Sequence, residues 1–240
     1  MGRVRLVLRA AHIVLAVLVS VPLHYLTKML GMQSRWPPRF LKWVGYAAGA
    51  RVRVVGVPRR RHSLILANHV SWLDIMIVSG ASGAAFVAKS EIRSWPAVGW
   101  LCGLNNTVFI ERAERGNVRG QADAMRDALL AGQPLALFPE GTTEGGGEVL
   151  PFRAALVSSV FPPLPGVLVQ PVAIDYGAAV DEIAWVGDEP AAANMKKVLS
   201  RRGTMQVTLH FLEPMDPAEC ADRKVLAQRS RDGIVAALRR

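Results

Sequence analysis

The chain has 240 residues, of which 51% are hydrophobic and 20% charged, and its mean hydropathy is +0.23. That length fits one domain of ordinary to large size with no room for a second sizeable one, and the apolar content excludes a disordered or merely solvating chain. A net charge of +10 and a pI near 10.4 point to an anionic partner, which leaves nucleic acid, a membrane surface or an acidic substrate.

The apolar surplus lies first at the amino terminus. Residues 10–26 are densely apolar behind Arg3, Arg5 and Arg9, are interrupted by His12, Pro22 and His24, and end near Lys28. A spanning helix needs about 20 mostly apolar residues, so this stretch is borderline. A signal peptide has the same basic start, but Pro22, His24 and Tyr25 stand where a small-x-small cleavage pattern belongs. Residues 36–50 mix Trp36, Phe40, Trp43 and Tyr46 with Arg35, Arg39 and Lys42, the composition of a helix in the headgroup layer. Positive charge on both sides of the first stretch sets no orientation for a single span. Residues 1–50 therefore read as an interfacial or half-inserted two-helix membrane anchor, ahead of a domain over 51–240. A core helix packed on that domain is the alternative, and it accounts poorly for the arginine clusters.

After Arg51, short β-branched runs alternate with helical stretches. Strands are predicted over 52–57, 63–67, 85–88, 108–111, 135–138, 168–174 and 205–212, and helices over 71–79, 94–102, 117–131 and 151–160. The last strand alternates Met205, Val207, Leu209 and Phe211 with Gln206, Thr208 and His210, so one of its faces should be wetter. A final helix is expected to open at Asp216 as cap, with Pro217 in first position and Glu219 behind. The alternation predicts an α/β fold, a mixed, mostly parallel sheet flanked by helices. The glycine run 145–147 reads as a loop.

Several active-site templates are missing: no Gly-x-Ser-x-Gly elbow, no His-Glu-x-x-His, no phosphate-binding P-loop and no dinucleotide glycine fingerprint. Cys102 and Cys220 lie far apart without metal-type partners, which argues against a disulfide scaffold or a zinc site. Cys102, among Trp100, Leu101 and Leu104, reads as an inert buried thiol.

Three local patterns remain. Asn68-His69-Val70-Ser71-Trp72-Leu73-Asp74 follows an apolar strand and opens a helix. Positions five apart on one helix point about 140° apart, so His69 can meet Asp74 only by folding back from ahead of the first turn. The carboxylate would then fix the imidazole tautomer and leave the other nitrogen as a base. Ser71 with Asp74 is also a capping box, and the two roles are compatible. Phe138-Pro139-Glu140-Gly141-Thr142-Thr143 ends another strand, where a tight glycine turn can expose backbone N–H groups to an oxyanion; a plain turn is the bland reading. Phe109-Ile110-Glu111-Arg112, with Arg115 and Lys89 near, offers cations for phosphate or carboxylate, against a merely solvated basic rim.

In this order the patterns resemble the motif set of the glycerolipid acyltransferase family, the lysophosphatidic acid acyltransferases and their relatives. Asn68-His69 to Asp74 resembles the N-H-x4-D block, Phe109 to Arg112 the F-I-x-R block, and Phe138 to Thr142 the F-P-E-G-T block. Val169 to Ile174 is similar to the proline-containing V-P-V strand, and the likeness covers roughly residues 50–215. The resemblance implies transfer of an acyl chain from acyl-CoA or acyl carrier protein to the free hydroxyl of a lysolipid, without metal or other cofactor. His69 would be the base and Asp74 its orienter. Lys89 and Arg112 would hold the acceptor headgroup, and Glu140, Gly141 and Thr142 would position the acceptor or stabilise the oxyanion.

The expected acceptor is 1-acyl-sn-glycerol-3-phosphate, giving phosphatidic acid, with a lyso-ornithine lipid as the alternative. The alternative is prompted by Thr143, where the lysophosphatidic acid enzymes usually carry Arg, and by the stretch Leu150-Pro151-Phe152-Arg153. The implied partners are membrane lipids, the lysolipid and the thioester carrier. The implied place is the inner (cytoplasmic) membrane, with the catalytic domain on the cytoplasmic side. A non-enzymatic lipid binder would have no need of the His69–Asp74 pair. Nucleic acid is not expected, because the aromatic residues gather in the anchor segment rather than along a basic stripe.

Overall fold

Ser63 to Ala67 are buried at every position, as a strand covered on both faces must be. The computed structural model describes residues 1–110 and 118–239. Its strands are β1 (Ala50–Val55), β2 (Ser63–Ala67), β3 (Ala85–Lys89), β4 (Val108–Ile110), β5 (Leu135–Leu137), β6 (Leu168–Asp175) and β7 (Met205–Phe211). Each lies within two residues of its predicted limits. They form one sheet in the order β1-β7-β6-β2-β5-β3-β4, with β6–β7 antiparallel and the other pairs parallel. The helices are α1 (Gly2–Met29), α2 (Trp36–Ala47), α3 (Leu73–Ser82), α4 (Val98–Leu104), α5 (Val118–Leu130), α6 (Val180–Ile183), α7 (Ala191–Ser200) and α8 (Arg223–Leu238).

Alternation along the strands divides the interior in two. Ile65, Ala67 and Ala136 pack with Val44 of α2, Ile77 of α3 and Val198 of α7. Leu64, Leu66, Leu135 and Leu137 face the other way, toward Leu129 of α5 and Leu226 of α8. The expectation for β7 holds, with Met205, Val207, Leu209 and Phe211 buried and Gln206 exposed.

At the amino terminus, α1 is one helix running through Pro22. The proline removes a single backbone donor and leaves the rest of the ladder to hold the helix. At ~1.5 Å per residue α1 is about 42 Å long, and it is long and apolar enough to cross a membrane. Two of the three arginines at its start are not a free positive flank. Arg5 Nε donates to Ser200 O (3.0 Å), and Arg9 donates to Val198 O (3.1 Å) and Gly203 O (2.6 Å), satisfying carbonyls at the open end of α7.

The segment read as a headgroup-layer helix is different from that expectation along one face. Leu41, Val44 and Ala47 of α2 are buried, a helical stripe packed into the same core as α3. A Cβ on Gly80 would lie 2.8 Å from Lys42 Cα, so glycine is what lets α3 approach α2 this closely. Arg39, Lys42 and Tyr46 stay on the exposed side.

Two helix predictions need correction. The stretch 151–160 forms a 3-10 segment, Ala154–Val160, entered only after Pro151. Asp216 caps a single 3-10 turn, Pro217–Glu219. The long final helix starts at Arg223, with Asp222 Oδ1 accepting from Lys224 N (2.7 Å) and Val225 N (2.9 Å). A local cap signal identifies a turn start, and only the packing of α8 on the sheet decides which turn continues.

Candidate active site

β2 and β5 are parallel neighbours in the middle of the sheet, and their carboxyl ends carry the two most informative loops. β2 runs out at Ala67, paired with Val172 of β6. Asn68 then continues the pairing with its side chain: Nδ2 donates to Ile174 O (3.1 Å), and Oδ1 accepts from Ile174 N (2.8 Å). The chain can therefore leave the sheet at 68 without orphaning the backbone of β6.

Asp74 organises the corner that follows. It is fully buried, and its Oδ2 accepts from Val70 N (2.7 Å), Ser71 N (2.9 Å) and His69 Nδ1 (2.8 Å). Its Oδ1 accepts from the Tyr176 hydroxyl (2.6 Å). An ionised carboxylate only accepts, so His69 carries its proton on Nδ1 and keeps a lone pair on Nε2. The capping and orienting roles expected of Asp74 coexist because the carboxylate caps the first turn and holds the imidazole with one oxygen. Burial, then the charge of Asp74 and its hydrogen bond, raise the Tyr176 phenol well above its ordinary value, which keeps it a donor.

The remaining backbone atoms of the corner are also engaged. Glu140 Oε1 accepts from His69 N (2.8 Å) and Oε2 from Leu150 N (3.0 Å). Glu144 N donates to His69 O (3.0 Å), and Trp185 N to Val70 O (3.0 Å). The Phe138 ring stacks on the imidazole, with centroids 3.9 Å apart and planes 7° from parallel. The imidazole is thus held on its edge by Asp74 and on its face by Phe138, while a cavity of about 370 Å³ opens beside it, lined also by Asn68, Tyr176, Glu144 and Arg231.

The structure brings together His69, Asp74 and Glu140, with Glu140 bound to the backbone N–H of His69. Glu140 is 2% exposed, both its oxygens accept from backbone N–H groups, so it holds the His69 backbone, and it also lines the cavity. Burial raises its carboxyl above the ordinary value, while the Leu150 and His69 N–H groups pull it back. The N–H of Gly141, expected to face an oxyanion, closes the turn on Phe138 O (3.1 Å). Thr142 is exposed, with its hydroxyl turned to Thr143 O. Arg112 and Arg115 lie outside the described residues, as does the side chain of Lys89, whose backbone ends β3. Cys102 is half-buried rather than buried, and burial raises its thiol pKa.

Two residues of the site had no role assigned from sequence. Asn68 stood inside a motif, and its asparagine directly before the histidine was the available signal. Tyr176 had none, because it reaches Asp74 from 102 residues away. Tyr176→Phe is expected to leave Asp74 Oδ1 without a donor in a dry site, costing about 1–3 kcal/mol of stability. Urea denaturation of the two proteins measures this, and equal midpoints would mean that the hydroxyl contributes nothing.

A buried carboxylate, an imidazole held in one tautomer and an open cavity make a site for general-base chemistry. The model of the Acyltransferase family matches residues 51–175, and the chain belongs to that family; it is an acyltransferase. It is 36% identical to a lyso-ornithine lipid O-acyltransferase of Brucella abortus, covering 99% of this chain and 95% of the relative. It is 34% identical to a 1-acyl-sn-glycerol-3-phosphate acyltransferase of Neisseria gonorrhoeae, covering 76% of this chain and 72% of that one. The fold is that of the crystal structure of the 1-acyl-sn-glycerophosphate (LPA) acyltransferase PlsC from Thermotoga maritima. The TM-score is 0.68 at 24% identity, over 100% of this chain and 97% of the other.

Proposed function

We propose that the protein moves an acyl chain from a thioester, acyl-CoA or acyl carrier protein, to the free hydroxyl of a lysolipid. The observation that carries this reading is His69 itself: it lines the cavity, and its Nδ1 is bound to the buried carboxylate of Asp74, which leaves Nε2 as the nitrogen for a substrate proton. Nε2 takes the proton of the lysolipid hydroxyl, and the oxygen attacks the thioester carbonyl. The tetrahedral oxyanion collapses, the C–S bond breaks, and the thiolate takes the proton back from Nε2. Asp74 stabilises the imidazolium in between. Lys89 and Arg112 hold the acceptor's anionic headgroup, Gly141 and Thr142 shape the mouth of the loop, and Glu140 positions His69 through its backbone. The chemistry asks for no cofactor beyond the thioester carrier.

Two acceptors compete, and the similarity orders them the other way from the sequence expectation. The likeness to a lyso-ornithine lipid O-acyltransferase runs nearly the whole chain, and Thr143 leaves the F-P-E-G-T loop one guanidinium short. A lyso-ornithine lipid is therefore the first acceptor and 1-acyl-sn-glycerol-3-phosphate the second. The acceptor and product are lipids, and the apolar α1 suits an enzyme working at the inner membrane from the cytoplasmic side. The test is acyl transfer by the purified full chain in detergent, with labelled acyl donor and the two lysolipids in parallel. The expected result is a kcat/KM at least about tenfold higher for lyso-ornithine lipid, a difference of ~1.4 kcal/mol in transition-state binding. The reverse preference would place the enzyme in phosphatidic acid synthesis, and transfer to neither would overturn the reading.

A further inference from the structure

The loop from Phe138 to Thr143 contains no cationic side chain, yet a guanidinium lies on it. A Cβ built on Gly141 would stand 3.2 Å from both Cζ and Nε of Arg153 and 3.3 Å from its Nη1, so the planar group rests face-on against the open side of the glycine. Gly141 has φ +78°, a conformation that disfavours a side chain, and a side chain there would also displace the guanidinium. The arginine is registered to the base through short links. Leu150 N donates to Glu140 Oε2 and Arg153 N to Pro139 O (2.9 Å), while Glu140 Oε1 holds His69 N. Arg153 is exposed, and its guanidinium has no hydrogen-bond or ion-pair partner among the described residues.

We propose that Arg153 binds the anionic group of the acceptor lysolipid, supplying from the neighbouring segment the guanidinium that position 143 lacks. The proposal rests on the acyl-transfer reading above. A planar fork lying on a glycine turn offers two parallel N–H donors to a phosphate or a carboxylate. A glycine beneath it keeps those donors free of steric cover. The shared chemistry is an oxyanion of the acceptor, either the phosphate of 1-acyl-sn-glycerol-3-phosphate or the carboxylate of a lyso-ornithine lipid. Arg153 is a binding residue and takes no part in proton transfer.

The test compares the full-length protein with Arg153→Gln and Arg153→Lys in acyl transfer to each lysolipid. Binding of each radiolabelled lysolipid in detergent micelles is measured separately, on the same substitutions in a His69→Ala background that does not turn over. Arg153→Gln is expected to raise the acceptor KM and Kd about tenfold or more, with kcat changed less than about threefold and the acyl-donor KM unchanged. Arg153→Lys should recover part of the loss, since it keeps the charge without the fork. An effect confined to one lysolipid identifies its oxyanion as the one held. Unchanged acceptor KM and Kd would overturn the proposal, as would equal losses for Gln and Lys that fall on kcat with a lowered melting temperature. If the wild type transfers to neither lysolipid, the acyl-transfer reading fails by itself, and the binding series still decides Arg153. Absence of binding by either lysolipid overturns both.

Discussion

His69→Ala is expected to lower kcat by about 10²–10⁴-fold, the usual contribution of a positioned general base, and to leave the fold intact. The fold should survive because the buried partner does not lose its environment. Asp74 keeps three donors, Val70 N, Ser71 N and the Tyr176 hydroxyl, so no bare charge is stranded in the interior. The bonds from His69 N to Glu140 and from Glu144 N to His69 O involve backbone atoms and are kept. What disappears is the lone pair on Nε2 and the ring stacked on Phe138. Neither substrate loses a binding contact, so both KM values should stay near wild type while kcat and kcat/KM fall together. Steady-state kinetics with circular dichroism on the same preparation measure this, and near-normal turnover would remove His69 from the role of base.

Asp74→Asn is expected to reduce kcat by about 10²–10⁴-fold as well, for a different reason. The amide can present its oxygen to Val70 N, Ser71 N and His69 Nδ1 and turn its NH₂ toward Tyr176, whose hydroxyl can accept. The corner then stays formed, but the imidazolium made during proton transfer no longer faces a negative charge. Hydrogen bonds to a charged acceptor become bonds to a neutral one, so stability should fall by about 1–3 kcal/mol. Thermal denaturation alongside single-turnover kinetics separates the two effects. A variant that no longer unfolds cooperatively at assay temperature would show that holding the start of α3 is the larger task of this carboxylate.

The strands were legible because each is a short β-branched run bounded by turn residues, and period-two burial is a local property. β2 and β7 show it most plainly. The His69–Asp74 pair was legible for a related reason: a residue ahead of a helix start and one in its first turn are brought together by the turn itself, whatever the rest of the chain does. The helices were less readable. Capping signals at Asp216 and Asp222 are alike in sequence, and only the burial of Leu226 and Ile234 makes the second one the start of a long helix. The arginines in the first turns of α1 looked like charge flanking an apolar segment, and only the arrival of α7 gives Arg5 and Arg9 carbonyls to hold.

The sequence by itself determined the class of fold, the placing of an imidazole and a carboxylate at one strand-to-helix corner, and the family to which those motifs belong. These follow from contacts between residues a few positions apart, whose geometry the backbone imposes locally. The tertiary structure alone decided how the site is closed. Tyr176 caps Asp74, Asn68 is paired with Ile174, Glu140 holds the backbone N–H of His69, and Arg153 rests on Gly141. All but the last two residues of that set meet across the sheet because β2 lies between β5 and β6. Arg153 reaches Gly141 because the segment after the loop folds back along Pro139. Strand order and loop return are set by the packing of two cores on opposite faces, and no local pattern of residues encodes them.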